Sequence, residues 1–223
     1  MLPDDVTATF LAAFLAFFFG ANLLNLWMSQ RSTSAPVRDA EVEHPTGLLY
    51  ALAALCTLVF FAEAAFYVLL VFLGVQDALT SSALQLRFPL DSYVQAVGLT
   101  TVASGFLLFV WSVLARGRYA SAWSMREDHK LVTWGPYRFV RHPSYLAYFL
   151  LFIGLPLALL NLVGAMPLLG IPGYAYITDV EEKLLVARFG DEYVHYQKAT
   201  GKLLPKLGRR KIEENCGDSK EQK

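Results

Sequence analysis

The sequence predicts an all-α integral membrane protein with about five transmembrane helices, the last two forming a short hairpin broken by proline and glycine. Three observations carry this expectation. Hydrophobic residues make up 55% of the 223 residues and charged residues 17%, a balance shifted toward the apolar side of an ordinary soluble domain. Three uninterrupted apolar stretches, residues 7–28, 47–75 and 93–115, each reach the roughly 20 residues that a helix needs to cross a hydrocarbon core of about 30 Å. A fourth apolar region, residues 145–177, is interrupted by Pro156, Asn161, Gly164, Pro167, Gly170, Pro172 and Gly173.

The first stretch follows Asp4 and Asp5 rather than a basic segment and has no small-residue cleavage site, so it reads as a retained span. Its Asn22 and Asn25, three residues apart, are expected to make polar contacts between helices. Glu63 is the lone acid of the second stretch, placed there either to bond across helices or to line a pocket. Gly98 and Gly105 share a face of the third stretch and read as a close-packing seam. The fourth region divides into two short helices with a turn near residues 161–167; the competing reading is one long kinked span. Irregular backbone at membrane depth is tolerated only where protein or water satisfies it, so this hairpin should be covered or line a cavity.

Basic residues set the expected orientation. Arg116, Arg118, Arg126, Lys130, Arg138 and Arg141 follow the third stretch, and Lys198, Lys202, Lys206, Arg209, Arg210 and Lys211 follow the hairpin. A two-helix hairpin brings both groups to one side, which the positive-inside tendency makes cytoplasmic, with the N-terminus outside. Residues 206–223 mix both charge signs with almost no apolar content, which predicts a disordered tail that touches anionic lipid only weakly.

Formal net charge is zero, which leaves no nucleic-acid footprint. Cys56 and Cys216 offer neither a structural disulfide nor a thiolate metal cluster, and His44, His129, His142 and His195 lack helical ligand spacing, so no metal is expected. Ser144 follows His-Pro rather than a G-x-S-x-G elbow, and the glycines of residues 170–173 follow no strand. Serine-nucleophile and soluble dinucleotide chemistry are thereby set aside.

The chemistry-bearing residues lie in a polar block at 129–145, answered by Glu181-Glu182 and by Phe189-Gly-Asp-Glu-Tyr193. His142-Pro143 marks a helix start, since proline suits the first turn and pushes its predecessor toward extended backbone. Tyr145, Tyr148 and Phe149 then lie on neighbouring turns of one face. If the hairpin forms, Glu181 and Glu182 return to the same membrane boundary, and a histidine, tyrosines and paired carboxylates surround one pocket mouth. That set suits a charged, adenosine-bearing ligand such as a sulfonium cofactor.

Four ordered motifs carry a resemblance: His-x-Leu-Val-Thr-x-Gly-x-Tyr at 129–137, Arg-His-Pro-Ser-Tyr at 141–145, Glu181-Glu182, and Phe-Gly-x-Glu-Tyr-x-x-Tyr at 189–196. Over residues 129–205 the chain resembles the isoprenylcysteine carboxyl methyltransferase family, whose wider group includes phospholipid methyltransferases. The resemblance implies a membrane-embedded methyltransferase that takes S-adenosyl-L-methionine from the cytosol and a lipophilic small-molecule or lipidated acceptor from the bilayer. It implies cofactor contacts at His129, Lys130, Leu131, Val132, Tyr137, His142, Pro143, Ser144, Tyr145, Glu181 and Glu182. It also divides the chain into three N-terminal helices (1–115), a cofactor-binding methyltransferase region (116–205) and the charged tail (206–223).

No catalytic nucleophile is expected, because aligning two bound substrates can itself supply on the order of 7–11 kcal/mol. One departure bears on the acceptor. The family carries an arginine shortly before the glutamate pair, whereas here no Arg or Lys lies between Arg141 and Glu181. Tyr174, Tyr176, Thr178 and Asp179 occupy that region, so a small thiol, amine, phenolic lipid or phospholipid acceptor competes with a carboxylate. Outside the methyltransferase class stand a membrane reductase, which would want pyrophosphate-binding cations near the glutamates, and a noncatalytic membrane protein. In plainer roles, His142 caps the hairpin, one glutamate is solvated, Phe189, Tyr193 and Tyr196 are packing residues, and Arg138 and Arg141 anchor the interface.

Overall fold

A computed structural model of the protein describes residues 1–31, 46–76, 84–117 and 130–206, with side chains of the first segment described to Trp27. His129 and residues 207–223 of the expected tail lie outside the described residues. Within them the chain is all-helical: α1 (Asp4–Arg31), α2 (Leu48–Phe72), α3 (Asp91–Arg116), α4 (Pro143–Leu159), α5 (Ile171–Phe189) and α6 (Asp191–Ala199), with 3₁₀ turns at Gly135–Arg138 and Val163–Gly170.

Among the described residues three helices are long and apolar enough to cross a membrane: Asp4–Trp27, α2 and α3, of 24, 25 and 26 residues. At 1.5 Å per residue they extend roughly 36–39 Å. Their outer faces are apolar and uncovered, with Leu23 and Leu58 both 66% exposed, as lipid-facing surfaces are. Their inner faces meet in an aromatic core in which Phe18 lies 5.5 Å from Phe106 and 4.9 Å from Phe109, and Phe60 lies 6.0 Å from Phe152.

The shorter apolar helix α4 forms the most extensive pair with α3. Glycine makes this possible: a Cβ on Gly98 would stand 2.3 Å from the Ala158 nitrogen, one on Gly154 would stand 2.8 Å from the Val102 nitrogen, and one on Gly105 would stand 3.0 Å from the Ala147 carbonyl. The seam expected from Gly98 and Gly105 is therefore a backbone contact. Asn22 departs from expectation, since its amide donates to the Phe18 carbonyl of its own helix at 2.8 Å rather than across an interface.

The fourth apolar region reverses. Leu160 takes the left-handed conformation (φ 50°) after α4, and the Asn161 side chain accepts from the Val163 amide at 2.9 Å to shape the turn. The carbonyls at the end of α4 are not orphaned, because Gln95 of α3 donates to Ala158 and Gln85 donates to Leu159. The chain then returns through Val163–Gly170 into α5, where Gly170 and Gly173 seat against Cys56 and the Leu49 carbonyl of α2. The turn at 160–162 is tighter than the expected 161–167, since residues 163–170 are already 3₁₀ helix.

Beside this turn, Glu63 lines a small cavity of about 60 Å³ with Asp4, Tyr67, Gln85 and Asn161. Both its carboxylate oxygens are buried without a hydrogen-bond partner among the described residues, which favours the pocket-lining reading over a bond across helices.

Candidate active site

The site lies at the end of the bundle where α3 finishes, α4 begins and α5 runs past the start of α2. The polar block is pinned to α3 first. Trp134 donates its indole N–H to the Ala115 carbonyl at 2.9 Å, and Gly135 passes over the Ala115 Cβ at φ 61°, where a side chain would be both strained and crowded. Pro136 then starts the short 3₁₀ turn that carries Tyr137 inward.

Val140 bridges in parallel to Gly201, and His142 is non-helical (φ −122°, ψ 61°), since Pro143 disfavours helix in the residue before it. Arg141 and His142 pair with the chain returning from α6: the Arg141 amide donates to the Gly201 carbonyl at 2.8 Å and the His142 amide to the Lys202 carbonyl at 3.1 Å. This pairing orients Arg141 and His142, and Tyr145 follows in the first turn of α4. Arg141 places Nε and Nη2 each 2.7 Å from Glu182 Oε1, while its Nη1 donates to the carbonyls of Gln197 and Thr200. His142, 5% exposed, sits between the two acids, with Nδ1 3.4 Å from Glu181 Oε2 and Nε2 3.3 Å from Glu182 Oε1. Tyr145 donates its hydroxyl to Glu181 Oε1 at 2.5 Å. Gln197 holds the remaining Glu182 oxygen at 3.2 Å.

The plainer readings of this cluster do not hold. His142 makes no side-chain cap bond to the helix it precedes. Glu181 and Glu182 are 14% and 15% exposed rather than solvated. Arg141 is a buried strut for Glu182 and not an interface anchor.

Electrostatics follow from the geometry. Burial, the largest single influence on His142, works against protonation, but bonds and attraction to Glu181 and Glu182 outweigh it and raise its pKa above the ordinary value. Burial likewise works against ionised Glu182, yet His142 and Arg141 together hold its carboxyl down at about 2.

The expected site residues divide into two groups. Tyr137, His142, Pro143, Ser144, Tyr145, Glu181 and Glu182 converge, with Tyr137 through Ser144 buried except at 138, 139 and 141. Leu131 lies instead on an open groove of about 740 Å³ between residues 131–138 and α6, with Trp134, Arg138, His195 and Tyr196. Val132 is buried beside it and Lys130 is exposed. Tyr196 and Thr200 separate groove from cluster, since the Tyr196 hydroxyl donates to the Tyr137 carbonyl at 2.5 Å and Thr200 accepts from Arg141. Tyr193 is a packing residue, 1% exposed.

The expected acceptor end does not assemble from all four residues. Tyr174 joins the site, 5.3 Å from the Tyr145 ring and stacked 4.9 Å from Tyr148. Thr178 is buried and bonds the Ala175 carbonyl, Tyr176 is exposed, and Asp179 is paired with Lys202 at 2.5 Å. At 100° per residue these positions spread around α5, and only Tyr174 and Thr178 share the face that leads to Glu181. Sequence reading missed Arg116, whose Nη2 donates to Ser144 Oγ at 3.3 Å. Its place at the end of a span had marked it only as a topology signal.

Residues 93–192 match the phospholipid methyltransferase family. The chain is 29% identical over 126 residues to protein-S-isoprenylcysteine O-methyltransferase of Tribolium castaneum, a stretch covering 54% of this chain and 44% of that one. It is 40% identical over 77 residues to methanethiol S-methyltransferase of Pseudomonas deceptionensis, covering 33% and 28% respectively. These alignments span less than half of either relative. Its fold is similar to that of the eukaryotic intramembrane Ras methyltransferase, isoprenylcysteine carboxyl methyltransferase, with a TM-score of 0.54 at 23% identity over 94% of this chain and 71% of that one. By sequence the chain is a distant homologue of the isoprenylcysteine methyltransferases, its family match is confined to residues 93–192, fewer than half of its 223 residues, and the structural likeness shows the fold alone.

Proposed function

We propose that the protein is an S-adenosyl-L-methionine-dependent methyltransferase that acts on a lipophilic acceptor drawn from the bilayer. The observation that carries this is His142 held between Glu181 and Glu182 with Tyr145 on Glu181, a polar cluster at the boundary of apolar helices. The donor set fits the cofactor. A partly exposed carboxylate suits an ammonium or sulfonium, and tyrosine rings suit an adenosine.

In this reading Tyr137 and Tyr145 hold the adenosine end and Glu181 receives the positive charge, while Leu131 and Val132 lie with the groove on the other side of Tyr196. Lys130 is exposed beside Leu131, and Pro143 and Ser144 start α4. When bound, the cofactor supplies a methyl group on an electrophilic sulfonium. The chain's own work is positioning: Arg141 and Gln197 fix Glu182, Glu182 fixes His142, and His142 with Tyr145 fixes Glu181. No side chain is assigned as nucleophile.

The apolar parts of α4 and of residues 163–177 form the fourth and fifth spans, with the site and C-terminus cytoplasmic and the N-terminus outside. Residues 1–115 supply the bundle, 116–205 the chemistry, and 206–223 a charged tail.

A thiol acceptor is the second reading, favoured by the stretch shared with the methanethiol enzyme and by the lack of any Arg or Lys between Arg141 and Glu181. Incubating purified protein with methyl-labelled cofactor and, in parallel, a prenylcysteine analogue, a lipophilic thiol and phospholipid vesicles separates these. Label on any acceptor supports the proposal and names its class. Label on none, with folded protein, removes it.

A further inference from the structure

We propose that the cavity beside the hairpin turn binds the head of a lipophilic amine, with Glu63 as its counter-ion. Spacing on α2 builds one wall: Glu63, Phe66 and Tyr67 stand at i, i+3 and i+4 and so share a face. That face meets Asp4 of α1 and the turn after α4 around a space of about 60 Å³. Both Glu63 oxygens are buried there without a hydrogen-bond partner among the described residues. A carboxylate held away from water and unpaired is costly, so its place on a cavity wall points to a cation that comes from outside the chain.

The neighbouring polar groups are spent on one another. Gln85 donates to the Leu159 carbonyl at 3.0 Å, and Asn161 donates to Gln85 Oε1 at 3.3 Å while its own oxygen takes the Val163 amide. Tyr67 donates to Asp4 Oδ1 at 3.0 Å, and the Met1 ammonium, which also lines the space, is taken by Asp91 at 2.8 Å. Two carboxylates therefore line the cavity with no other cation in its walls.

The walls select the kind of cation. Phe66 and Tyr67 bring ring surface, which favours an ammonium, and Leu159 and Val163 are aliphatic. No cluster of metal-ligating side chains forms among the described residues, and a hard metal ion wants a fuller shell of oxygens. The volume admits a few waters or one ammonium with its first methylenes, and the paired acids repel a phosphate headgroup. Phe66 is 54% exposed on the outer surface of α2, so an alkyl chain on that ammonium can leave along the lipid-facing side. The cavity lies at the Leu159 end of the 17-residue α4, roughly 25 Å along the helix from the His142–Glu181 cluster at its other end, so the assignment is independent of the methyltransferase reading.

Calorimetry on the full chain in a nonionic detergent, with decylamine and decanol as matched probes, tests it. The wild type is expected to bind decylamine at least about tenfold more tightly than decanol, and Glu63→Gln, which keeps the shape and removes the charge, to lose that preference. A second measurement needs no variant and decides if Glu63→Gln does not fold: a lipophilic carbodiimide should modify Glu63 in the wild type, read by peptide mass spectrometry, and decylamine but not decanol should protect it. Equal binding of amine and alcohol, a preference that survives in folded Glu63→Gln, or carbodiimide labelling at Glu63 that is absent or indifferent to the amine overturns the assignment. Protection by sodium chloride at the same concentration, equal to that by decylamine, overturns it too, because the site would then take an inorganic ion.

Discussion

His142 shows how a residue can be legible in type and illegible in role. The His-Pro dipeptide announces a helix start, yet nothing in one sequence says that the ring faces two acids forty residues away rather than a nearby amide. The contacts with Glu181 and Glu182 give a pH signature. A raised folded-state pKa means that protonated His142 stabilises fully below its ordinary 6.5 and that this contribution is lost as pH rises through the folded value. Glu182 works oppositely, stabilising above its ordinary 4.5 and losing that contribution as pH falls toward about 2. Melting temperature in detergent should therefore fall on the alkaline side of neutrality, and His142→Gln should flatten that limb; an unchanged alkaline limb in the variant would place the titrating group elsewhere. Arg141→Ala strands Glu182 and two carbonyls, and a cost of about 3–5 kcal/mol is expected, read as a melting shift of many degrees. A loss below about 1 kcal/mol would return Arg141 to the interface-anchor reading.

At the scale of elements, the three long spans were legible because apolar length alone defines them. So was the seam on α3, because glycines seven residues apart share a face. The hairpin turn was placed only approximately, since proline and glycine mark where a helix is weak but the left-handed residue turned out to be Leu160, which has no sequence signature. The spread of Tyr174, Tyr176, Thr178 and Asp179 around α5 was missed because that segment was read as one end of a pocket before its helical phase was applied. The α3–α4 contact makes its own prediction. Gly98→Ala puts a methyl against the Ala158 backbone, which cannot swing away as a side chain can, so destabilisation of about 1–3 kcal/mol is expected from thermal melting. Gly20→Ala, where a Cβ meets nothing within 4 Å, is the matched control and should be neutral or slightly stabilising.

For the whole molecule, a bundle of long apolar helices carries a short hairpin whose two ends bring residues 141–145 and Glu181-Glu182 together. The proposed topology predicts that single cysteines replacing Leu90 and Leu204, both exposed, label from opposite faces of sealed membranes once Cys216 is replaced by serine. Labelling from one face would refute the topology. The central claim is that His142 and Glu181, brought together by the hairpin, form a cofactor site. Calorimetric titration of S-adenosylmethionine into the folded wild type, His142→Ala and Glu181→Ala measures it directly. Binding by the wild type, weakened in each variant by roughly 1–3 kcal/mol, about 5- to 150-fold, is the predicted result. Equal affinity in all three, or no binding by the wild type, would contradict the account.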